Sequence, residues 1–557
     1  MGPVDVSTTL VLVLAAVAAI VMAHRAAERT GLPAPALLTL VGIAYALLPG
    51  PNAELDPDVV LTLLIPPLLY SAALDSSLTA IRRNLRTVIS LSVLLVLATA
   101  VLVGVGFALF VAGATIAAGV ALGAAVAPPD PVAALAVGRR VGLPPRLLTL
   151  VQGEGLLNDA TALTLLSVAV AAATGEGFSA WWAAGQFVFA ATGGVLVGLL
   201  VARSVRWARH WSQDPLVLNA VSLATPFVAY LLGEELHVSG VLSVVVAGLA
   251  IGHDGPRAVS GASRLQVSAV WRLVDFLLEG VVFLLIGQQL PTVVRGLDRY
   301  DASTVVIASA ISVGVVLVLR PLWLIATQLL PRRLHTRLGV AVLEDDPAGR
   351  PPAPARGAAD RLTRHEVLVL SWAGTRGVIT LAAIYTLPLV TDTGAPFPDR
   401  DLLLFCAFLV VLVTLVGQGG TFAPLVRALG LRANAVDQAR LRNRARSAAV
   451  RAGLDRLAEL QDEDHETDGD HAIATLRTQL ENRLVRYQQR LDVLEDAEEE
   501  LPSNPAYEAA LRLHLAVIEA ERDELLRLRD TGQLPDSGLR VLERELDHRE
   551  VLLPPRR

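Results

Sequence analysis

Thirteen apolar runs alternate with short polar segments over roughly the first 430 residues of the chain. Each run is close to the ~20 apolar residues that an α-helix needs to cross the hydrocarbon core of a bilayer. The predicted spans are residues 6–23, 34–49, 57–75, 86–112, 115–138, 146–173, 181–202, 216–233, 239–252, 271–290, 303–330, 366–390 and 402–428. The pattern therefore predicts an all-α polytopic membrane protein with thirteen transmembrane helices.

The charges of the loops alternate along this array. Arginine-rich segments such as IRRNLR, GRRVGLPPR and RSVRWARH follow odd-numbered spans, whereas short or acidic segments such as PGPNAELDPD and GEELH follow even-numbered ones. Basic loops stay in the cytoplasm according to the positive-inside rule. We therefore expect a plasma-membrane protein whose amino terminus lies outside and whose carboxyl terminus lies in the cytoplasm.

Polar, helix-forming sequence replaces the apolar runs after Arg432. A heptad-like stripe recurs there at spacings of three and four residues, formed by Leu476, Leu480, Leu484, Tyr487, Leu491 and Leu494. LPSNP at 501–505 ends this helix, and further helices are predicted at about 507–529 and 538–553. We expect a transmembrane domain over 1–430 and a cytoplasmic helical tail over 431–557. The tail is either a small bundle or coiled coil, or a regulatory or dimerising element, and the two interpretations are compatible.

Composition narrows the class of protein further. Hydrophobic residues make up 53% of the 557 residues, and the mean hydropathy is +0.53. The single cysteine, Cys406, excludes a disulfide scaffold and a cysteine zinc site. The net charge of −6 argues neither for nor against nucleic acid, and we expect the bilayer, not nucleic acid, as a partner. The first apolar run lacks a basic segment and a cleavage site, so we interpret it as a retained helix.

Few ionisable residues interrupt the predicted spans. A charge at the bilayer centre costs about 2.5–3.5 kcal/mol on insertion scales, so such residues are candidates for function. The mid-span set is Asp130, Glu154, Asp159, Arg320 and Arg376, whereas Asp75, Asp275 and Glu279 lie nearer the ends of their spans.

Two spans contain a predicted break. Three prolines surround Asp130 in AVAPPDPVAAL, and proline removes a backbone donor and clashes with the preceding turn. Gly374 and Gly377 flank Arg376 in SWAGTRGVITL, and glycine permits unusual backbone angles. Because the breaks fall at matching positions of spans one to six and eight to thirteen, we predict two inverted six-helix repeats with discontinuous helices 5 and 12. Asp130 and Arg376 would neutralise the opposed half-helix ends.

The sixth span carries QGEGLLND at 152–159. Glu154 and Asn158 are i,i+4 neighbours on a helix, so their side chains can hydrogen-bond, whereas Asp159 faces another direction. Arg320 is the available cation for Glu154, and this structural pair would orient Asn158. Asp159 is then left to bind and release cargo. Burial raises the pKa of a carboxyl group by up to about 3–5 units, so a carboxyl group in a closed cavity can carry a proton near neutrality.

These motifs resemble those of the monovalent cation:proton antiporters of the sodium/proton exchanger superfamily, in particular bacterial electroneutral members with an Asn-Asp pair. The resemblance covers about residues 5–430 and is carried by Asp130-Pro131, GEGLLND, the arginine of span eleven and GTRG at 374–377. It implies that Asp159, Asp130 and Asn158 bind the cation and the proton. Glu154 and Arg320 would be the structural ion pair, and Arg376 would compensate charge at the second discontinuous helix. It further implies a homodimer with an elevator-like motion.

Three departures from the family pattern bear on the transported cation. Pro129 stands where threonine is usual, Gly155 stands where serine is common, and Ser71 stands where many members have glutamate. Ser71, Pro129 and Gly155 are therefore further candidates for coordination, through a hydroxyl or a backbone carbonyl. We expect Na⁺, and next Li⁺, as the cargo exchanged for H⁺, with K⁺ as the alternative.

The motif content of the sequence also bears on the energy source for transport and on the class of protein. No G-x-x-x-x-G-K-[ST] motif occurs, so an ion gradient should drive transport without a cofactor. Because Asn158 adds no charge, we expect one cation for one proton. Alternatives of another class are a channel, a membrane sensor that signals through the tail, and an intramembrane protease. A regulatory ligand or protein is the expected partner of the tail.

Overall fold

The computed structural model describes residues 6–48, 57–174, 180–209, 211, 214–258, 260–329, 337–339, 359–391, 394–463, 470–495, 497, 505–531 and 533–551. Its internal contacts divide the chain into two units, one that extends to Ala433 and one that holds the chain from Asn434 onwards. Most of the LPSNP break predicted at 501–505 lies outside the described residues.

Helices build nearly all of the first unit. Helices α1 to α9 are Val6–Thr30, Ala34–Ala46, Pro57–Leu74, Leu78–Arg83, Leu85–Phe110, Ile116–Val126, Pro131–Val141, Pro145–Thr174 and Ala180–Arg209. Helices α10 to α17 are Pro215–Glu235, Gly240–Ala258, Gly261–Gln288, Leu290–Arg295, Ala302–Leu329, Arg364–Trp372, Val378–Tyr385 and Arg400–Ala428. One antiparallel strand pair, Arg337–Gly339 with Ala359–Arg361, is the only sheet among the described residues.

Several of these helices have the dimensions of a bilayer span. Nine helices of the described ranges are long and apolar enough to cross a membrane, and Ala34–Ala46 and Gly240–Asp254 are shorter apolar helices. Short π-helical turns occur within α3, α5 and α17, at Val60–Leu64, Ser90–Leu94 and Val413–Gln418. The helical class that hydropathy predicts is confirmed.

The first predicted break lies between α6 and α7. Asp130 is the N-cap residue of α7, and its Oδ1 accepts a hydrogen bond of 2.9 Å from the amide of Val132. Pro131 occupies the first helical position, where a missing N–H costs no intrahelical hydrogen bond. The prolines therefore end one half-helix and start the next.

The second predicted break lies between α15 and α16. Thr363 and Glu366 cap the start of α15 reciprocally, since each side chain accepts from the backbone amide of the other residue. The backbone then runs without helical structure through residues 373–377 before α16 begins. Both interruptions that the sequence predicts are present.

The two breaks are bonded to each other. The amide of Asp130 donates to the carbonyl of Thr375 at 2.6 Å, and the Thr375 hydroxyl donates to the Asp130 carbonyl at 2.8 Å. Gly377 lies against the Asp130 carboxylate, which a Cβ at this position would overlap. Glycine is thus required at 377 by close approach of backbone to side chain.

The described residues of the second unit form four helices, α18 to α21, which are Ala435–Glu463, Asp470–Glu495, Pro505–Asp530 and Asp536–Val551. α18 packs on α19, and α20 packs on α21. The predicted stripe lies on α19, where Leu494 is fully buried but Leu476 is 46% exposed. The Arg440 guanidinium on α18 donates to the carbonyls of Leu494 and Ala497, which stabilises the carboxyl end of α19.

Candidate ion-binding site

A cavity of ≈ 330 Å³ lies beside the crossing of the two broken helices. Its walls come from α3, α7, α8, α12 and α16. The polar and charged residues that line it are Ser71, Asp75, Asp130, Arg139, Gln152, Asp159, Asp275, Glu279 and Thr380. Five carboxylates and a single guanidinium line this cavity, which makes it strongly attractive to cations.

Asp159 places a carboxylate on the cavity wall from the middle of α8. The residue is 4% exposed, and no described residue forms a hydrogen bond or an ion pair with its carboxylate. Asp130, at the helix break, is its charged neighbour. A buried ionised group without a partner is costly. The Asp159 carboxylate therefore has the surroundings of a group that takes up either a proton or a cation.

Glu154, five residues earlier on the same helix, is neutralised. Nη1 and Nη2 of Arg320 donate to its two carboxylate oxygens, and the Nη2–Oε2 distance is 2.8 Å. The two side chains are only 1% and 3% exposed, and Arg320 Nε also donates to the carbonyl of Leu370 at 2.9 Å. This bidentate contact satisfies both buried charges and joins α8 to α14 and α15.

Asn158 is bonded to the first helix break. Its Nδ2 donates to the carbonyl of Pro129 at 2.9 Å, and its Oδ1 has no hydrogen-bond partner among the described residues. The hydrogen bond that this spacing permits between Asn158 and Glu154 is not formed: the Asn158 amide donates to Pro129, and Glu154 accepts from Arg320. The ion pair therefore does not orient Asn158. Asn158 instead ties α8 to the residues that precede Asp130.

Arg376 serves the carboxyl ends of the half-helices. Its Nε donates to the carbonyl of Val126 at 3.0 Å and its Nη2 to that of Ala127 at 3.2 Å, both at the end of α6. Nη1 donates to the carbonyl of Gly374, just after α15. The last carbonyls of a helix lack intrahelical donors and carry the negative end of its dipole. The buried Arg376 guanidinium supplies both hydrogen-bond donors for these carbonyls and a positive charge beside the helix ends.

The three further coordination candidates all line the cavity, in different ways. The Ser71 hydroxyl donates to Oδ2 of Asp275. The Pro129 carbonyl accepts from Asn158, which leaves it one lone pair. A Cβ at Gly155 would lie 2.5 Å from Cγ of Pro131, so this position packs against the helix break. Gly155 therefore contributes no side-chain oxygen to the cavity.

Three acidic residues that the sequence places nearer the ends of their spans also line the cavity: Asp75 at the end of α3, and Asp275 and Glu279 on α12. Hydropathy predicts that the tenth span starts at 271, but α12 begins at Gly261, so Asp275 and Glu279 lie well inside the helix. Their spacing of four residues on an apolar helix was the signal, because i and i+4 share one face.

Comparison with known proteins places this arrangement in a family. The family described as "Sodium/hydrogen exchanger, transmembrane" matches residues 12–428. The chain belongs to this sodium/hydrogen exchanger family. It is 34% identical over 551 residues to an uncharacterized Na⁺/H⁺ exchanger of Mycobacterium tuberculosis, covering 98% of this chain and 96% of that protein.

Two further exchangers extend the comparison. The chain is 29% identical over 539 residues to the sodium, potassium, lithium and rubidium/H⁺ antiporter of Bacillus subtilis, covering 94% of this chain and 74% of that protein. The fold is similar to that of the sodium proton antiporter MjNhaP1 from Methanocaldococcus jannaschii at pH 8, with a TM-score of 0.56 and 18% identity over 75% of this chain and 99% of that one.

Membership in the sodium/hydrogen exchanger family settles the class of protein. The chain is a multi-pass membrane protein and a secondary transporter, not an enzyme. The protease alternative is therefore wrong, and so are the channel and the sensor alternatives.

Proposed function

We propose that this exchanger catalyses antiport of a monovalent cation, Na⁺ first and Li⁺ next, against H⁺ across the plasma membrane. The observation that carries the proposal is the contrast between two buried carboxylates on α8. Glu154 is held by Arg320, whereas Asp159 lines the cavity with no hydrogen-bond or ion-pair partner among the described residues. One carboxylate is structural, and the other can change its occupant.

The exchange step follows from competition at Asp159. A hard cation prefers oxygen ligands, and Asp130, the Pro129 carbonyl and water offer them in the cavity that this carboxylate lines. A proton on Asp159 removes its negative charge, so the cation and the proton exclude each other. Asn158 contributes an amide without charge. One carboxylate that alternates between two monovalent occupants gives electroneutral exchange of one cation for one proton.

Alternating access exposes this site to each side of the membrane in turn. Asp75 ends α3 and Arg139 lies in the last turn of α7, and both line the same cavity as Asp159. Asp75 is followed by the arginine-rich segment IRRNLR, and Arg139 lies within GRRVGLPPR; the positive-inside rule assigns both segments to the cytoplasm. We therefore assign the present conformation to a state open to the cytoplasm, with the amino terminus outside.

The proposed architecture is thirteen crossings in two inverted six-helix repeats, with discontinuous helices 5 and 12. Each predicted span coincides with a continuous or a broken helix among the described residues, which supports the count. The proposed assembly is a homodimer in which a core domain moves against a dimer domain in an elevator-like motion. Arg376, on carbonyls of both half-helices, and the bonded breaks would hold the moving core together.

One alternative to Na⁺ as the transported cation, K⁺, has an observation in its favour. The Bacillus subtilis relative is named for potassium and rubidium as well as sodium and lithium. Since Gly155 supplies no side-chain oxygen here, the site holds fewer protein ligands than a serine would provide. A K⁺/H⁺ antiporter is therefore the second candidate.

The chain after the membrane domain is proposed to be an accessory tail. We divide the protein into a transmembrane antiporter domain, 1–430, and a cytoplasmic helical region, 431–557, to which a regulatory ligand or protein binds. The ion-binding candidates all lie in the first region, so exchange itself should need only the transmembrane domain.

Proton-gradient dissipation in everted membrane vesicles tests the function. Addition of Na⁺, Li⁺ or K⁺ to energised vesicles should collapse the gradient for the wild type and for Asp301→Asn, which changes an exposed acid outside the cavity. Asp159→Asn should abolish the response for every cation while the protein remains folded and inserted. Wild-type activity in Asp159→Asn would refute the proposal.

A further inference from the structure

The cavity holds more carboxylates than the proposed exchange site requires. Besides Asp130 and Asp159, its walls carry Asp75, Asp275 and Glu279, against the single guanidinium of Arg139. Intramembrane carboxylates are expensive to keep and are usually paired or functional. The three additional acids therefore call for a physical explanation.

The two oxygens of Asp275 have different surroundings. Oδ2 accepts a hydrogen bond from the Ser71 hydroxyl of α3, and Ser71 is only 5% exposed. Oδ1 is shielded from solvent and has no hydrogen-bond partner among the described residues. A shielded carboxylate oxygen without a donor is destabilising. Ser71 thus fixes the carboxylate on the cavity wall, and the other oxygen lacks the donor or cation that a shielded carboxylate oxygen normally has.

Glu279 lies one helical turn after Asp275 on α12 and lines the same cavity. No described residue forms a hydrogen bond or an ion pair with its carboxylate. The charged neighbours of these acids are mostly other acids: Asp75 lies near Asp275, and Asp130 lies near Asp159. Glu279 has Asp275, Asp130 and the cavity's guanidinium, Arg139, as its charged neighbours. The carboxyl groups therefore line the cavity wall from the end of α3 to Asp159, and their ionised forms attract cations to this wall.

We propose that Asp275, oriented by Ser71, is a cation-receiving carboxylate on the route from the end of α3 to Asp159, and that it sets the apparent affinity for the cation. The proposal rests on the exchange function proposed above. Ser71 is then a positioning residue, because its hydroxyl acts through Asp275. α12 supplies the carboxylate that position 71, on α3, does not.

The kinetic test uses purified full-length protein in liposomes, with Na⁺-dependent proton flux measured over a range of Na⁺ concentrations. Asp275→Asn and Ser71→Ala should each raise the KM for Na⁺, by about tenfold and about threefold, with kcat within about twofold of the wild type. A single contact to a charged group is worth about a factor of ten in affinity, and losing only its orientation costs less. Asp301→Asn, at an exposed acid outside the cavity, should keep the wild-type KM.

A transposed variant separates this role from a merely structural one. The double variant Ser71→Asp with Asp275→Ser exchanges the two groups, so that α3 carries the carboxylate and α12 carries the hydroxyl at the same place. It should restore the KM for Na⁺ to within about threefold of the wild type. An unchanged KM in Asp275→Asn, or a change in melting temperature alone, would overturn the proposal. Exchange that persists in Asp159→Asn would instead count against the proposed function, so the two failures are distinguishable.

Discussion

The structure makes a sharp stability prediction for Glu154→Gln. The substitution removes the charge that faces Arg320 and replaces one of the two accepting carboxylate oxygens with an amide NH2, so the guanidinium keeps only a neutral amide oxygen and the carbonyl of Leu370 as acceptors. Both side chains of the pair are at most 3% exposed, so water cannot replace the lost carboxylate. Removing one partner of a buried ion pair costs about 3–5 kcal/mol.

This cost should appear in the melting temperature and not in the affinity. A loss of 1 kcal/mol lowers the melting temperature by about 2–4 °C in domains of 150–250 residues, and by less in larger ones. We therefore expect Glu154→Gln to melt several degrees lower in detergent, followed by intrinsic tryptophan fluorescence, while the KM for Na⁺ of the folded fraction stays near the wild-type value. Asp159→Asn, on the same helix, should keep its melting temperature because Asp159 has no hydrogen-bond or ion-pair partner in the described structure.

A double variant checks the electrostatic origin of the effect. Glu154→Gln combined with Arg320→Gln removes both charges and should recover part of the lost stability, since the uncompensated guanidinium is gone. If Glu154→Gln changed the KM for Na⁺ and left the melting temperature unaltered, the structural assignment of the pair would be refuted. Additive losses in the double variant would show that the pair contributes no coupling energy.

Two other substitutions probe the site. Asn158→Asp should make exchange respond to an imposed membrane potential, because a second carboxylate would then accompany Asp159. Flux that stays voltage-insensitive in liposomes clamped with valinomycin would remove the basis of the stoichiometry. Gly377→Ala should lower the exchange rate at least tenfold, since the new Cβ would overlap the Asp130 carboxylate. Gly314→Ala, whose Cβ would meet no atom within 4 Å, should retain wild-type exchange, and equal rates for both would contradict the close approach.

The contacts of Asn158 depend on other helices and not only on its spacing along α8. Spacing of four residues does bring Glu154 and Asn158 to one face of α8. It cannot say which of them meets a stronger partner from another helix. Arg320 donates to both oxygens of Glu154, whereas the Asn158 amide donates to the carbonyl of Pro129, 29 residues earlier in the chain.

The sequence by itself determined the positions of the helices and of their breaks. Hydropathy places the span at 146–173, and α8 covers Pro145–Thr174; the prolines around Asp130 interrupt the helix where expected. Both signals are local in the sequence. Proline removes its own backbone N–H donor, and a continuous apolar run enters the bilayer as one helix because its backbone groups must be hydrogen-bonded internally.

Only the tertiary structure decided which groups meet. Arg376 reaches the carbonyl of Val126 across 250 residues of chain, and Ser71 reaches Asp275 across 204. Such contacts depend on how each helix is rotated and where it crosses its neighbours, which hydrophobic periodicity within one helix does not specify. The sequence could therefore predict Asp159 as the exchanging carboxylate, whereas the recruitment of Asp275 and Glu279 to its cavity followed from helix packing.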